Sequence, residues 1–540
     1  MTFCDLQESQ SKRAFRTYPV LLLILLALYA LLGWYFVRYG TINHDEGWYL
    51  YAAKLVYEGK RPYVDFAYFQ CPLLPYIYGF PQKVFGGGIL IGRLTSFVLG
   101  LVTVLLAAKL ARRLAGDMAA VLAFAICCTT AIFFWVFSTT RTEPLVTALA
   151  MISLYFLLTG GKEPLASFLA SSAMVWAAAT RVSCLPAAAC VFVFALYKNR
   201  AHRAKAALIF LLILLQIVIL LGLPLMRSSE HVLFNVFTSQ LQRHSQLKEA
   251  PALPPLVFWR HRLVEMLAYL GWYYPALFQA AITVGIFVLL QLGMRGLQCT
   301  LQQKGHYLAL LGVAIVLYLP NVAVPENFQA VYFVPSACAL AVLVSCALAD
   351  LYYRFSQTAT AHLVLASTLS LLILQSVFLT GLKSYYTSSS APLQESELVA
   401  RHVASLVPPH KQIATFDTYV ALEANRTVAH GLEMDMFAFF PRFSDEEAQR
   451  YHVVNDHLFA QILHDERTAC AIFTDFDLRM LVFRAWPWQE WEAPGHPLSE
   501  EELFEQVPAL KGSYRLDRIF PQFGPFEDNL YLLVRTDSVQ

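Results

Sequence analysis

Long apolar runs separated by short polar segments fill the first 382 residues, and their lengths predict membrane spans. A span needs about 20 apolar residues, and shorter ones near 16 occur inside bundles. On that basis spans are predicted at 18–38, 88–110, 118–137, 142–159, 165–180, 182–197, 206–225, 272–292, 306–320, 330–349 and 361–382. Residues 165–197 carry Thr180-Arg181 at their midpoint and basic residues at both ends, which favours a hairpin over one long helix. Orientation follows from the Lys/Arg bias of short loops. Lys12, Arg13 and Arg16, Lys109/Arg112/Arg113, Lys162, Lys198/Arg200/Arg203/Lys205, Arg295/Lys304 and Arg354 then share one face, predicted to be cytoplasmic.

The opposite face receives residues 39–87, the turn Thr139–Pro144, Arg181, loop 226–262, loop 320–329 and everything after the last span. Within the first loop, 47–59 carries Trp48, Tyr49, Tyr51, Leu55 and Tyr57, the aromatic character of a helix lying at the lipid–water interface. Pro62, Pro72, Pro75 and Pro81 break the rest of that loop into turns. A second interfacial helix is predicted at 257–271.

Beyond Lys383 the pattern becomes short apolar runs at 412–416, 470–473 and 530–534, alternating with amphipathic stretches at 394–406 and 444–463. That alternation predicts strands and helices of a small α/β domain. The expected class is a polytopic α-helical membrane protein of about eleven spans with a C-terminal soluble α/β domain. Its boundaries fall at 1–17 (cytoplasmic N-terminus), 18–382 (membrane domain, first extracytoplasmic loop 39–87) and 383–540 (extracytoplasmic). No glycine-rich phosphate loop, G-x-S-x-G or HExxH occurs in the last part.

Composition sharpens this picture. The chain is 57% hydrophobic and 14% charged, with mean hydropathy +0.50, beyond the roughly half-apolar norm of soluble domains. A net charge of +2 divides into +13 before Lys383 and −11 from it onward. Membrane lipid is the expected partner, and no nucleic acid. Most cysteines (Cys127, Cys128, Cys184, Cys190, Cys338, Cys346) lie in or beside spans, and only Cys71 and Cys470 are expected in non-cytoplasmic solvent. No disulfide framework or zinc spacing follows. The first apolar run is too long for a signal peptide and ends without a small-residue cleavage site, so it is read as a retained span.

The candidate chemistry gathers on the non-cytoplasmic face. Asp45-Glu46 stands just past the first span, where acids are costly near hydrocarbon. Either the pair caps a helix beginning near Gly47 or it acts on a substrate. Further charges on that face are Asp65 and Glu143, with Lys54, Arg61, Arg141 and Arg181. Arginine suits bidentate contact with phosphate, and an acid in reach of a hydroxyl can take its proton. Together they suit transfer of a group from a lipid phosphate to an acceptor. Snorkelling is the plainer reading of Arg141 and Arg181, solvated charge that of Lys54 and Arg61, and a polar or capping role that of His44.

His44-Asp45-Glu46, Tyr51, Ala53, Gly59, Pro62-Tyr63, Asp65-Phe66 and Gln70-Cys71-Pro72-Leu73 resemble the first extracytoplasmic loop of integral-membrane GT-C glycosyltransferases. The resemblance is to the protein O-mannosyltransferase and lipid A aminoarabinose transferase type. Arg141-Thr142-Glu143-Pro144 and Tyr332-Phe333-Val334-Pro335 are also similar. It implies a polyprenyl-phosphate sugar donor, inversion at the anomeric carbon, no nucleotide sugar, and a lipid, glycan or protein hydroxyl as acceptor. Asp45 would be the general base with Glu46 beside it, Glu143 a second site acid, and Arg141 and Arg181 the holders of the lipid phosphate. Lys54, Arg61, Gln70 and Tyr332 complete the candidate substrate contacts. Where many members carry a lysine before the loop prolines, this chain has Gln70-Cys71-Pro72, so either another cation neutralises the leaving phosphate or the donor sits differently. A divalent cation could be held by Asp45, Glu46 or Glu143, with no ligand set assigned. The rival readings are a glycolipid transporter or flippase and a non-catalytic membrane-anchored binding protein. The expected setting is a bacterial inner membrane.

Overall fold

The computed structural model describes residues 18–239 apart from 162 and 202, together with 301–322, 330–355, 392–483, 496–524 and 528–536. It also describes isolated positions at 242, between 260 and 277, and at 370. The expected spans 272–292 and 361–382 and the expected helix 257–271 lie, apart from such isolated positions, outside the described residues.

Five described helices are long and apolar enough to cross a membrane: Pro19–Tyr39, Ile89–Thr129, Thr142–Thr159, Ala204–Thr238 and Ala330–Asp350. Shorter apolar helices Pro164–Thr180, Val182–Lys198 and Gly305–Pro320 pack beside them. Ile89–Thr129 is central, contacting the first span, Thr142–Thr159 and Val334–Phe355. Leu23, Leu31, Leu211 and Leu215 stay exposed on the outside. Such all-round apolarity is stable only against lipid. The chain is an integral membrane protein.

Two expected boundaries move. Ile89–Thr129 breaks at Ala115-Gly116, between the expected spans 88–110 and 118–137, and the second of these breaks again before Ala131–Phe137. Gly116 adopts φ +86°, a conformation glycine reaches at little cost. At the second break the Thr129 and Thr130 hydroxyls donate to the Ala125 and Ile126 carbonyls at 2.9 and 2.7 Å, satisfying backbone that lipid could not. Residues 164–198 do form two packed helices turning at Arg181–Cys184. The expected span 206–225 is followed by a break at Ser228 and then by further helix to Thr238, so the start of the expected 226–262 loop is largely helical.

Residues 392–536 build a five-stranded sheet in the order β2-β1-β3-β5-β4, with β1 Gln412–Thr415, β2 Thr427–Val428, β3 Thr468–Thr474, β4 Tyr514–Phe523 and β5 Asp528–Arg535. β1 runs parallel to β2 and β3, while β5 is antiparallel to β3 and β4. The whole of β3 is buried, which explains its unbroken apolar run. Cys470 lies within it and Cys71 is likewise buried, so neither faces solvent as expected. The expected helix 444–463 is two helices, Asp445–Arg450 and Asp456–His464, capped by Ser444 and Asn455.

The first loop differs most from expectation. Its helix, His44–Tyr57, is not laid on the bilayer: Trp48, Tyr49, Leu50, Tyr51, Ala52, Ala53 and Leu55 are all buried. The sheet unit covers it. Tyr51 Oη accepts the Val428 N–H at 2.8 Å, and Trp48 meets Phe437 edge-on at 5.9 Å. A Cβ on Gly47 would stand 2.6 Å from Thr418 Oγ1 and 2.8 Å from the Tyr419 nitrogen. Gly47→Leu should therefore destabilise the protein by about 1–3 kcal/mol through overpacking at this junction. A thermal midpoint equal to wild type would contradict that close approach.

Candidate active site

The site begins with a helix cap. Asn43 Oδ1 accepts the Asp45 N–H at 2.9 Å, and Glu46 accepts the Asn43 N–H at 3.1 Å, a reciprocal capping box. This cap gives two consecutive carboxylates opposite fates. Glu46 turns inward and is fully buried. Arg93 Nε and Nη2 donate to its two oxygens at 2.9 and 2.7 Å, and the Thr140 N–H adds a bond at 3.1 Å. Arg93 also donates to the carbonyls of Val37, Gly40 and Thr41 at 3.0–3.1 Å. The pair thus ties the end of the first span, the loop helix, the central helix and the turn before Arg141. The expectation that Glu46 acts on substrate is not met by this geometry, because its oxygens are occupied and sealed from solvent.

Asp45 faces the other way. Trp48 Nε1 donates to Oδ1 at 3.1 Å, and Arg141 Nη2 lies 3.1 Å from Oδ2. The Asp45 side chain keeps 21% exposure while Arg141 keeps 6%. A carboxylate has about four lone-pair sites, so these two contacts leave it able to accept a hydroxyl proton.

From Asp45 a chain of opposite charges runs inward. Arg141 Nε is 3.4 Å from Glu143 Oε2, and Arg181 Nη1 donates to Glu143 Oε1 at 2.5 Å. Each arginine also meets an aromatic face, Arg141 over Trp135 at 5.3 Å and Arg181 over Tyr332 at 4.1 Å. Four charges that would each be costly in a dry site are held by one another. Local sequence sets the positions: Ser138 and Thr139 hydroxyls bond back to Trp135 and end that helix, leaving Arg141 extended before Thr142–Thr159. Arg181 likewise is the extended residue between two helices. Burial, and then the Asp45 carboxylate, hold Tyr49 well above the ordinary tyrosine range, so its phenol stays a donor.

Asp45, Arg141, Glu143, Arg181 and Tyr332, expected together from sequence, thus meet in one cluster. Lys54 and Arg61 do not join it. Lys54 sits nine residues along the helix from Asp45, about 13 Å of rise, 3.9 Å from Glu58. Arg61 is exposed and paired with Asp65 at 3.3 Å. Gln70 is half-buried; its backbone carbonyl accepts the Tyr63 hydroxyl at 2.5 Å, and its neighbour Cys71 lies by Cys184, just past Arg181. Arg93 was missed, although a lone arginine in the predicted span 88–110 demands a buried partner. Trp135 gave no signal beyond apolar bulk, and Trp48 and Tyr49 only that of interfacial aromatics. Among the described residues no group of three or more His, Cys, Asp or Glu is arranged to hold a metal ion. Asp45, Glu46 and Glu143 are each engaged by an arginine.

A family model for dolichyl-phosphate-mannose-protein mannosyltransferase matches residues 69–224, which include Arg141, Glu143 and Arg181 but not Asp45. ArnT from Cupriavidus metallidurans bound to undecaprenyl phosphate superposes with a TM-score of 0.58 at 14% identity, over 96% of this chain and 98% of that one. The chain shares the fold of this ArnT. The apo form of the same ArnT gives a TM-score of 0.58 at 12% identity, over 95% and 97% of the two chains. The oligosaccharyltransferase from Archaeoglobus fulgidus gives 0.48 at 11% identity, over 95% and 74%. No curated protein matches the chain.

Proposed function

We propose that this protein is a glycosyltransferase that moves a sugar from a polyprenyl-phosphate carrier to an acceptor hydroxyl on the non-cytoplasmic face, with inversion. The observation that carries this reading is the exposed edge of Asp45 beside a buried Arg141–Glu143–Arg181 chain. An acceptor hydroxyl approaching Asp45 gives up its proton as its oxygen attacks the anomeric carbon. The bond from that carbon to the carrier phosphate breaks on the opposite side, and the phosphate leaves with the electron pair. Arg181, 15% exposed and stacked on Tyr332, is the cation best placed to meet that charge, with Arg141 behind it. Glu143 orients both arginines. This assignment supplies the cation that Gln70 cannot. The undecaprenyl phosphate bound to ArnT supports the donor class.

The same reading puts the N-terminus in the cytoplasm and residues 383–540 outside it, in a bacterial inner membrane. Partners are then membrane lipid, the lipid-linked sugar and a glycan, lipid or protein acceptor. The test compares membranes carrying wild type or Asp45→Asn at equal folded yield, by mass spectrometry of their lipid-linked sugars. One such sugar should accumulate only with the variant. Matching lipid pools would count against the transferase and favour transport. A smaller effect is expected of Arg181→Lys: a point charge cannot reproduce the fork and stacking, so KM for the donor should rise about tenfold. An unchanged KM would remove Arg181 from the phosphate.

A further inference from the structure

His44, immediately before Asp45, is buried against the C-terminal sheet unit. Its ring stacks on Phe476 at 4.7 Å, and its Nδ1 lies 3.6 Å from Asp417 Oδ1 and 3.9 Å from Asp435 Oδ2. Asp417, Asp435 and Asp477 are completely buried. Asp477 Oδ2 accepts the Thr474 N–H at 2.9 Å, and Asp435 Oδ1 accepts the Met436 N–H. Asp417 lies against the Asp477 carboxyl and the Tyr419 hydroxyl, and Oδ2 of Asp435 finds no hydrogen-bond partner. Buried carboxylates normally collect donors, and three in one dry space cannot all be ionised. Protons have to be retained there.

We propose that His44, Asp417 and Asp435 are positioning residues: a proton-retaining clasp through which the C-terminal unit holds the first turn of the loop helix, and with it Asp45. This rests on the reading of Asp45 as the base. The clasp joins elements far apart in sequence, and its only covalent route to the site is the His44–Asp45 peptide bond. The close approach of Gly47 to Thr418 shows how tightly the two surfaces are pressed there.

Electrostatics gives the clasp a direction. Burial, then the Asp477 and Asp435 charges, push the Asp417 carboxyl far up. Burial also raises Asp435 and brings Asp477 to about 6, while burial lowers His44 to about 4. The other ionisable groups around the clasp do not offset this. Asp45 on the loop helix adds negative charge, and Tyr419 is held neutral by burial. Asp475 is engaged by Asn529 and Tyr531, while Arg479 pairs with Asp528 of β5 at 3.3 Å; burial pushes Asp528 up to about 7. Acids with raised folded pKa values stabilise the closed clasp fully below the ordinary carboxylate pKa, and that stabilisation is lost as pH rises through the raised values. His44, lowered, acts on the other side: its contribution is present above about 6.5 and is lost as pH falls towards 4. The alkaline limb belongs to the aspartates.

The full chain in lipid nanodiscs tests this by hydrogen exchange of residues 43–48 between pH 5.5 and 9, corrected for intrinsic rates. Wild type should lose protection about tenfold per pH unit on the alkaline side. In Asp435→Asn that loss should move up by at least about one pH unit or vanish. Asp435 sits at φ +60°, which asparagine tolerates, and the amide keeps an acceptor for Met436 with no proton to lose. Asp417→Asn serves as the second variant and should behave alike. Flat wild-type protection across the range, or parallel losses in wild type and variants, would overturn the clasp. Exchange needs no sugar transfer, so a clasp that behaves as stated in a protein without transferase activity would sink the function alone. Transfer with parallel exchange curves would sink the clasp alone.

Discussion

Replacing Arg93 by methionine should cost about 3–5 kcal/mol of stability, the largest loss expected of any single substitution in this chain. The size follows from what is left behind. Glu46 would be left in a fully buried position with only the Asn43 and Thr140 N–H groups to hold it, and the carbonyls of Val37, Gly40 and Thr41 would lose their shared donor. A buried ion pair adds little net stability over an apolar pair of like shape, but half of one is strongly unfavourable. Glu46→Gln together with Arg93→Met should therefore cost clearly less than the sum of the two single changes. Denaturant titration in mixed micelles measures this cycle. Additive losses would show that the two side chains do not act as a unit.

The second large effect is on rate. Asp45→Asn should reduce transfer by roughly 10²–10⁴-fold, the usual contribution of a general base, with donor KM close to wild type. An amide keeps the shape and can still accept from Trp48 Nε1, but it cannot take a proton from the acceptor. It also releases Arg141 from one of its two acids. Because Asp45 is the partly open member of the cluster, the fold should tolerate this change far better than a change at Glu46. Steady-state kinetics on protein of equal folded yield separates the two outcomes. A loss confined to KM would make Asp45 a binding residue.

The membrane half was legible because its signals are one-dimensional. Length and apolarity alone place Thr142–Thr159, and the basic midpoint at Arg181 announced a turn that the structure contains. Even the meeting of Asp45, Arg141, Glu143 and Arg181 followed from assigning each to one face. The partners within that meeting were not legible. Nothing local distinguishes Asp45 from Glu46; the difference arises because Glu46 takes the capping position that points at Arg93, some 47 residues on. The loop helix was misplaced for a related reason. Trp48, Tyr49 and Tyr51 have the composition of an interfacial belt, and whether such a surface meets lipid headgroups or another part of the chain depends on what folds over it. β2 and β4 escaped notice because one has two residues and the other is a half-exposed edge strand rich in arginine. Nothing local in the sequence marks Asp417, Asp435 and Asp477; the fold buries them together.

The most direct test of the central claim is turnover by the purified full-length protein in lipid. It would be given a polyprenyl-phosphate sugar and a panel of lipid, glycan and peptide hydroxyl acceptors, with release of free polyprenyl phosphate followed over time. Wild type should release the carrier phosphate in step with an inverted glycoside on one acceptor class, and Asp45→Asn should do so at least about 10²-fold more slowly. Equal release by folded wild type and variant would contradict the account.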